Sequence, residues 1–452
     1  MQKISFKNTL FIGSLLFGLL FGAGNLIFPV NMGQLAGGNS LLASFGFILT
    51  GVGIPFLGVL AIGLSGVEDV FQLAKKVGKP YAYFFTVALY FCIGPLFAVP
   101  RLASTSYTIG LSPYLPEKFQ SAGLFAFSLI FFLIAWYFSK NSKNLLNIIG
   151  KVLNPAFLAL LFFLLIICMV FPMGDGSGTQ PVGEYLKQPF LEGVKNGYNT
   201  LDALAALAFS ILIIQTIKSF GLTTKKEITS QVMKSGIVVV LIMSIVYITL
   251  TFAGLFSLGK FEQSENGGIA LSQIANYQLS SFGGILLALI ITFACLKTAI
   301  GLISAFGETA EELFPSISKK YASITCVAIA FLLANVGLTQ IITLAVPVLM
   351  FIYPLAITLI LLSLLENLIG YHREIYVWVT SFTMIISIID ALKSSGETIQ
   401  NLPFLRSLLD LGDIIPFASL GFGWILPSII GFVIGFIHSK LKSSQAINDL
   451  NK

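Results

Sequence analysis

Two stretches of this sequence put polar residues where an apolar helix should run unbroken. The first reads Gly18-Leu19-Leu20-Phe21-Gly22-Ala23-Gly24-Asn25-Leu26-Ile27-Phe28-Pro29. The second reads Gly193-Val194-Lys195-Asn196-Gly197-Tyr198-Asn199-Thr200-Leu201-Asp202-Ala203-Leu204. Clustered glycines, with an asparagine and a proline in the first, weaken a helix. An unwound backbone frees N–H and C=O groups. The donors at a helix start attract a carboxylate, and free carbonyls attract an ammonium or a bare cation. Asp202 is the one carboxylate near the middle of the apolar segment that the second stretch interrupts. It could hold a ligand's ammonium, help a cation site or pair with another polar group. Close helix packing through Gly18 and Gly22 is the plainer reading of the first stretch, and Tyr198 could gate a pocket or simply pack beside the break.

Two cations also stand in apolar surroundings. Lys297 lies about 14 residues beyond Gly283, roughly 21 Å along a helix. A lysine at membrane depth must be neutralised, paired or hydrated; Asp202 and a glutamate further along its own run are candidate partners. Arg101, which follows Pro95 and Pro100, reads as an outer-vestibule charge or a snorkelling surface arginine. Other constellations are decoys. Gly254–Phe261 resembles a phosphate-binding loop, but Phe261 replaces the Ser or Thr that would hold magnesium. Glu308, Glu311 and Glu312 have helical spacing at the end of an apolar run, which favours a solvated face or a gate salt bridge over a metal site. Cys92, Cys168, Cys295 and Cys326 lie in apolar runs, and His372 and His438 at segment ends. That pattern indicates no disulfide framework, zinc site, cofactor motif or Ser–His–Asp triad.

The elements that must position these groups follow from composition. Of 452 residues, 56% are hydrophobic and 10% charged, with mean hydropathy +0.91. An average soluble domain is about 25% charged. A soluble enzyme, a nucleic-acid-binding module and a disordered chain are excluded, and the fold class is all-α polytopic membrane protein. Spans need about 20 apolar residues, which yields twelve: 9–36, 41–64, 80–110, 121–139, 151–173, 190–219, 234–259, 281–310, 321–336, 339–365, 373–391 and 416–438. Segments 67–79 and 267–280 read as interfacial helices. Most of the 26 Lys and Arg residues, from Lys3 through Lys143 to Lys452, fall on one side when both termini are cytoplasmic. Arg101 and Arg406 are among the few outside. The two weak stretches then interrupt spans 1 and 6 near mid-span, the first span of each five-span half, and halves with an odd number of spans have opposite topology. Paired broken helices at matching positions point to a transporter's binding site. Residues 1–452 thus read as one transporter domain, with repeats at 9–173 and 190–365 and two further helices at 373–438.

Four blocks, FGAGNLIFP (Phe21–Pro29), GPLFAVPR (Gly94–Arg101), GYNTLDALAALAF (Gly197–Phe209) and CLKTAIGLISA (Cys295–Ala305), resemble the branched-chain amino acid:cation symporter family of bacteria. That family is similar in fold to LeuT-type transporters, which implies a 5+5 inverted repeat with broken helices 1 and 6, plus two C-terminal helices. The resemblance implies sodium-coupled uptake of leucine, isoleucine and valine across the cytoplasmic membrane; a transporter of the same fold for another small neutral solute is the alternative, and no enzyme is expected. A zwitterion would meet Ala23, Gly24, Asn25 and Leu26 at one break. At the other it would meet Gly197 and Tyr198 carbonyls, Asp202 and the apolar run from Ala203. The resemblance places a first sodium at Asn25 and Thr200, and a second at Gly18, Phe21, Ala294, position 297 and Thr298. Here the chain departs from the family's pattern, because Lys297 stands where a small residue or Thr is usual. Its ammonium could replace the second sodium, which opens proton-coupled or sodium-independent transport.

Overall fold

The computed structural model describes residues 5–140, 149–176, 178–395, 405, 409, 412, 415–418 and 421–450, the last eight by backbone alone. Lys3, Lys143, Arg406 and Lys452 lie outside the described residues. Among the described residues every regular element is helical. In chain order these are α1 (Phe6–Leu20), α2 (Gly24–Ala36), α3 (Ser40–Ile48), α4 (Ile54–Ser65), α5 (Val70–Ala74), α6 (Lys79–Phe91), α7 (Ala98–Gly110), α8 (Gln120–Ser139) and α9 (Asn154–Val170). Then come α10 (Pro189–Tyr198), α11 (Asp202–Ser219), α12 (Lys225–Ser257), α13 (Gly267–Leu279), α14 (Ser281–Leu313), α15 (Lys319–Ala334), α16 (Leu338–Ile369), α17 (Arg373–Lys393) and α18 (Ile425–Leu450).

Ten helical stretches are long and apolar enough to cross a membrane. Helices α1, at 15 residues, and α15, at 16, are shorter. The expected first span is α1 and α2, broken between Leu20 and Gly24, and the expected sixth is α10 and α11, broken between Tyr198 and Asp202. The expected third span is also interrupted: a π-turn at Cys92–Leu96 contains Gly94 at φ −88°, ψ −114°, outside the helical region. Its cause is Pro95, which supplies no N–H and disfavours helical geometry at the residue before it. The starts of the helices follow local chemistry. Thr224 and Glu227 form a reciprocal capping box on α12, and Asn266 accepts from the Gly268 and Ile269 N–H groups to start α13.

By packing, the chain divides into two compact units, Met1–Phe56 with Ile93–Ile341, and Leu57–Cys92 with Ile342–Lys452. The first holds both broken helices. There α2 and α12 lie backbone to backbone, because a Cβ on Gly33 would overlap the Thr251 carbonyl and one on Gly254 the Val30 carbonyl. Gly254, which opens the phosphate-loop look-alike, is therefore a packing glycine. At the end of α14, Lys319 Nζ lies 2.8 Å from Glu308 Oε1, so one of the three clustered glutamates is in a salt bridge. In the second unit, Lys76 Nζ lies 2.6 Å from Glu366 Oε2, which also accepts from the Tyr376 hydroxyl at 2.7 Å. Both histidines have structural partners: His372 Nδ1 meets Ser439 Oγ at 2.7 Å, and His438 Nδ1 accepts from Trp378 Nε1 at 3.1 Å.

The packing role of Gly254 can be checked in detergent-purified protein. Gly254→Leu should lower thermal stability by about 1–3 kcal/mol, the usual cost of overpacking, while Lys260→Ala, at an exposed site, should leave it unchanged. Stabilisation of the wild type by ATP, lost in Lys260→Ala, would point instead to a phosphate loop.

Candidate functional site

The two breaks are held differently. At the first, α1 ends at Leu20, Phe21 turns extended (φ −77°, ψ 96°) and α2 starts at Gly24. Asn25, one residue into α2, folds its side chain back so that Oδ1 accepts from the Gly22 N–H at 2.8 Å. At the second, Leu201 adopts a left-handed conformation, φ 68°, unusual for a residue other than glycine. It is fixed from both sides. Thr200 Oγ1 donates to the Gly197 carbonyl at 2.9 Å and accepts from the Asp202 N–H at 3.3 Å, while the Leu201 N–H donates to the Tyr198 carbonyl at 3.1 Å.

Asn25 then joins the breaks to each other. Its Nδ2 donates to Asp202 Oδ2 and to the hydroxyl oxygen of Tyr247, on α12; that hydroxyl in turn donates to Asp202 Oδ2 at 3.3 Å. All three residues are buried. Asp202 sits in the first turn of α11, where the positive end of the helix dipole favours a carboxylate.

Between the breaks lies a cavity of about 30 Å³, room for a few waters. Gly22 to Asn25 form one wall and Thr200 to Asp202 another; Ala98, Arg101 and Leu102 on α7, Ala205 on α11 and Thr298 and Leu302 on α14 are also in the lining. Arg101 Nη1 donates to the Asn199 carbonyl at 3.2 Å, and a Cβ on Gly24 would stand 3.5 Å from Nη2. The arginine expected in an outer vestibule thus borders the cavity, as does Asp202. Of the expected ligand-binding residues, Ala23, Gly24, Asn25 and Asp202 meet here. Leu26, Gly197, Tyr198 and Ala203 are not among the lining residues. Gly197 packs on the end of α3 and the turn after it, where a Cβ would overlap Thr50 Oγ1, and the carbonyls of Gly197 and Tyr198 already accept the turn's own hydrogen bonds.

The expected cation positions also separate. Thr200 and Thr298 line the cavity, and Thr298 Oγ1 donates to the Phe21 carbonyl at 3.3 Å. Ala294 is fully buried, and Gly18 faces Asn154 on α9, with a Cβ there 3.2 Å from Asn154 Cγ. Lys297 is wholly buried and is not among the residues that line the cavity. Its Nζ donates to Asn154 Oδ1 at 2.9 Å and lies 3.8 Å from the ring centroid of Phe157, 5.1 Å from Phe17 and 5.7 Å from Phe21. Asn154 Nδ2 donates to Ser14 O and Oγ, each at 2.9 Å, which aims its oxygen at the lysine. The partner is thus a neutral amide with three aromatic faces, and neither Asp202 nor a glutamate forms an ion pair with Lys297 among the described residues. Tyr247, Asn154 and Phe157 escaped sequence reasoning; Asn154 and Tyr247 could have been flagged as lone polar groups in apolar runs.

A family model described as branched-chain amino acid transport protein matches residues 5–442. The branched-chain amino acid permease BrnQ of Lactobacillus delbrueckii subsp. lactis is 41% identical over 98% of this chain and 100% of its own length. BrnQ of Bacillus subtilis is 37% identical over 98% and 100%. The branched-chain amino acid transport system 2 carrier protein of Pseudomonas aeruginosa is 35% identical over 95% of each chain. Among solved structures, the nucleobase-cation-symport-1 family transporter Mhp1, closed with bromovinylhydantoin bound, is similar at TM-score 0.58 and 12% identity, over 94% of this chain and 91% of that one. MhsT in complex with L-phenylalanine is similar at TM-score 0.57 and 19% identity, over 94% and 98%. At those identities the likeness is one of fold, and the fold is LeuT-type.

The Lys297–Asn154 contact should be measurable as a coupling energy. Asn154→Leu leaves a buried ammonium short of its amide partner and should destabilise by about 2–3 kcal/mol, in the range of a hydrogen bond to a charged group. Lys297→Met with Asn154→Leu should cost clearly less than the two single changes added, by about 1–3 kcal/mol. Strict additivity in thermal unfolding would mean that the contact carries no energy.

Proposed function

The chain belongs to the branched-chain amino acid transport protein family, and on that premise we propose that it imports leucine, isoleucine and valine by binding each between its two helix breaks, with Arg101 and Asp202 reading the amino acid's two charges. The observation that supports this reading is the cavity wall. It carries one guanidinium and one carboxylate, and the rest is backbone, hydroxyl, amide or apolar side chain. A neutral amino acid presents one anion and one cation on adjacent atoms and an uncharged remainder. Its carboxylate suits the planar fork of Arg101, together with the N–H groups that open α2. Its ammonium suits Asp202. Once the cavity, now about 30 Å³, widens to admit the ligand, the aliphatic group faces Ala98, Leu102, Ala205 and Leu302. A methylene in an apolar pocket discriminates by only about 1–3 kcal/mol, so the three branched substrates share the site. A second ionised group on the ligand would have no counter-charge.

Lys297 bears on the coupling ion. Phe21 and Thr298, two of the residues expected to hold a second sodium, are bonded to each other, and a tethered ammonium stands next to Thr298 in sequence, facing the Phe21 ring. In this reading the lysine supplies the positive charge of that position, and uptake depends on protons more than on a second sodium. The protein spans the bacterial cytoplasmic membrane with both termini inside, a reading supported by the distribution of Lys and Arg.

Two measurements test these assignments. In proteoliposomes, isoleucine and valine should compete with labelled leucine, and lysine and glutamate should not. Isopentylamine and 4-methylpentanoate, each lacking one charged group, should compete at least about tenfold more weakly than leucine. Arg101→Gln should raise the KM for leucine about tenfold or more while leaving competition by isopentylamine unchanged. An unaltered KM would remove Arg101 from the site. With sodium replaced by choline, wild-type uptake should persist and Lys297→Thr uptake should become sodium-dependent. Full sodium dependence in the wild type, unchanged in the variant, would make Lys297 a purely structural cation.

A further inference from the structure

Helices α8 and α15 run antiparallel and are pinned at one end. Asn335 Nδ2 donates to Ser128 Oγ at 3.1 Å, and the rings of Phe125 and Phe331 meet edge to face at 5.1 Å. Beyond that pin the two helices bound an open groove of about 300 Å³ with a wholly apolar lining. Leu129, Phe132, Leu133 and Trp136 line it from α8, at the i, i+3, i+4, i+7 spacing of one helix face. From α15 come Ile324, Val327, Ala328 and Phe331, at the same kind of spacing.

Each stripe ends in a lysine on the same side of the groove. Lys140 is four residues after Trp136, in line with its stripe, and its Nζ lies over the Trp136 ring at 3.6 Å. Lys320 is four residues before Ile324 and exposed. The neighbouring Lys319 is taken up by Glu308. Eleven residues separate Leu129 from Lys140, about 16 Å of helix, or roughly half the hydrocarbon thickness of a bilayer. Leu133 is 54% exposed, so the groove opens outward.

We propose that this groove is a binding site for an anionic phospholipid, with an acyl chain along the apolar stripes and the headgroup phosphate between Lys140 and Lys320. The groove is as long as one leaflet is deep, and it is apolar throughout the acyl region. Its two cations stand only at the headgroup end, so the charge pattern matches a lipid read from tail to phosphate. A zwitterionic lipid fits the same groove but offers the two lysines no net charge.

Trp136 provides a local reporter, since the chain has only 3 tryptophans. In the Trp378→Phe, Trp424→Phe background, dibrominated phosphatidylglycerol added to the detergent-purified full chain should quench Trp136 at a lower mole fraction than dibrominated phosphatidylcholine. A lysine near an anionic lipid contributes about 1 kcal/mol, or about fivefold in affinity. Lys140→Gln with Lys320→Gln should therefore abolish the preference, and each single change should reduce it about fivefold. Ala328→Phe, which fills the groove from the other helix, should reduce quenching by both lipids. Equal quenching by the two lipids in the wild type, or a preference that survives in the double lysine variant, overturns the site. Failure of either lipid to quench Trp136, as when a second copy of the chain covers the groove, overturns it as well.

Discussion

A helix can be interrupted inside a membrane only if something other than water satisfies what the break exposes, and here much of that burden falls on one amide. Asn25 uses both ends of its side chain: the oxygen closes the turn at Gly22, and the nitrogen reaches Asp202 and Tyr247. The same amide that makes break 1 possible therefore ties it to break 6 and to α12. Any ammonium that reaches Asp202 competes with Asn25 for the carboxylate. In the proposed binding mode, ligand binding and the joint between the breaks are therefore a single equilibrium.

Lys297 meets the same constraint by a different route. An isolated charge at such depth is expensive, and the chain surrounds it with one amide oxygen and three aromatic faces, leaving no carboxylate ion pair among the described residues. The contacts link α14 to α9 and, through Ser14 and Phe17, to α1. Unlike sodium, a tethered ammonium cannot dissociate and cross the membrane. Whatever work that position does in a transport cycle must come from movement of the helix that carries it or from loss and regain of its proton. In the proposed reading, a lysine there keeps a positive charge at the position without an ion that must cross the membrane.

Depth in the membrane was legible in the sequence, and azimuth was not. Long apolar runs are a direct statement about lipid, so the long apolar helices, a helix within 267–280 and the two weak points near Asn25 and Thr200 could be read from residue order alone. Gly94 was a harder case, because one Gly-Pro pair in a helix is as compatible with a kink as with a break. The partners across helices left no trace. Asn25 and Tyr247 are 222 positions apart, and nothing in either neighbourhood says that they meet. Arg101 shows the ambiguity most clearly: at the same depth, an arginine that snorkels outward and one that borders a central cavity have the same sequence neighbours. An acid was one candidate partner for Lys297, yet one amide and three aromatic rings occupy its surroundings.

The two breaks differ in what holds them. Break 1 is glycine-rich, so its backbone pays little steric penalty and needs a hydrogen bond to choose one geometry. Break 6 turns through Leu201, a non-glycine residue with positive φ, at a cost on the order of 1–3 kcal/mol. Glycine would remove that penalty but also the side chain, which is 2% exposed, and full burial of a leucine contributes roughly 1.5–3 kcal/mol. The two terms nearly offset, which explains how leucine is sustained there. Break 6 is thus fixed by the burial of Leu201 as well as by its own turn hydrogen bonds, and break 1 by polar contacts that a charged ligand can replace. A ligand arriving between them would loosen the glycine-rich side and leave the leucine side as the fixed point.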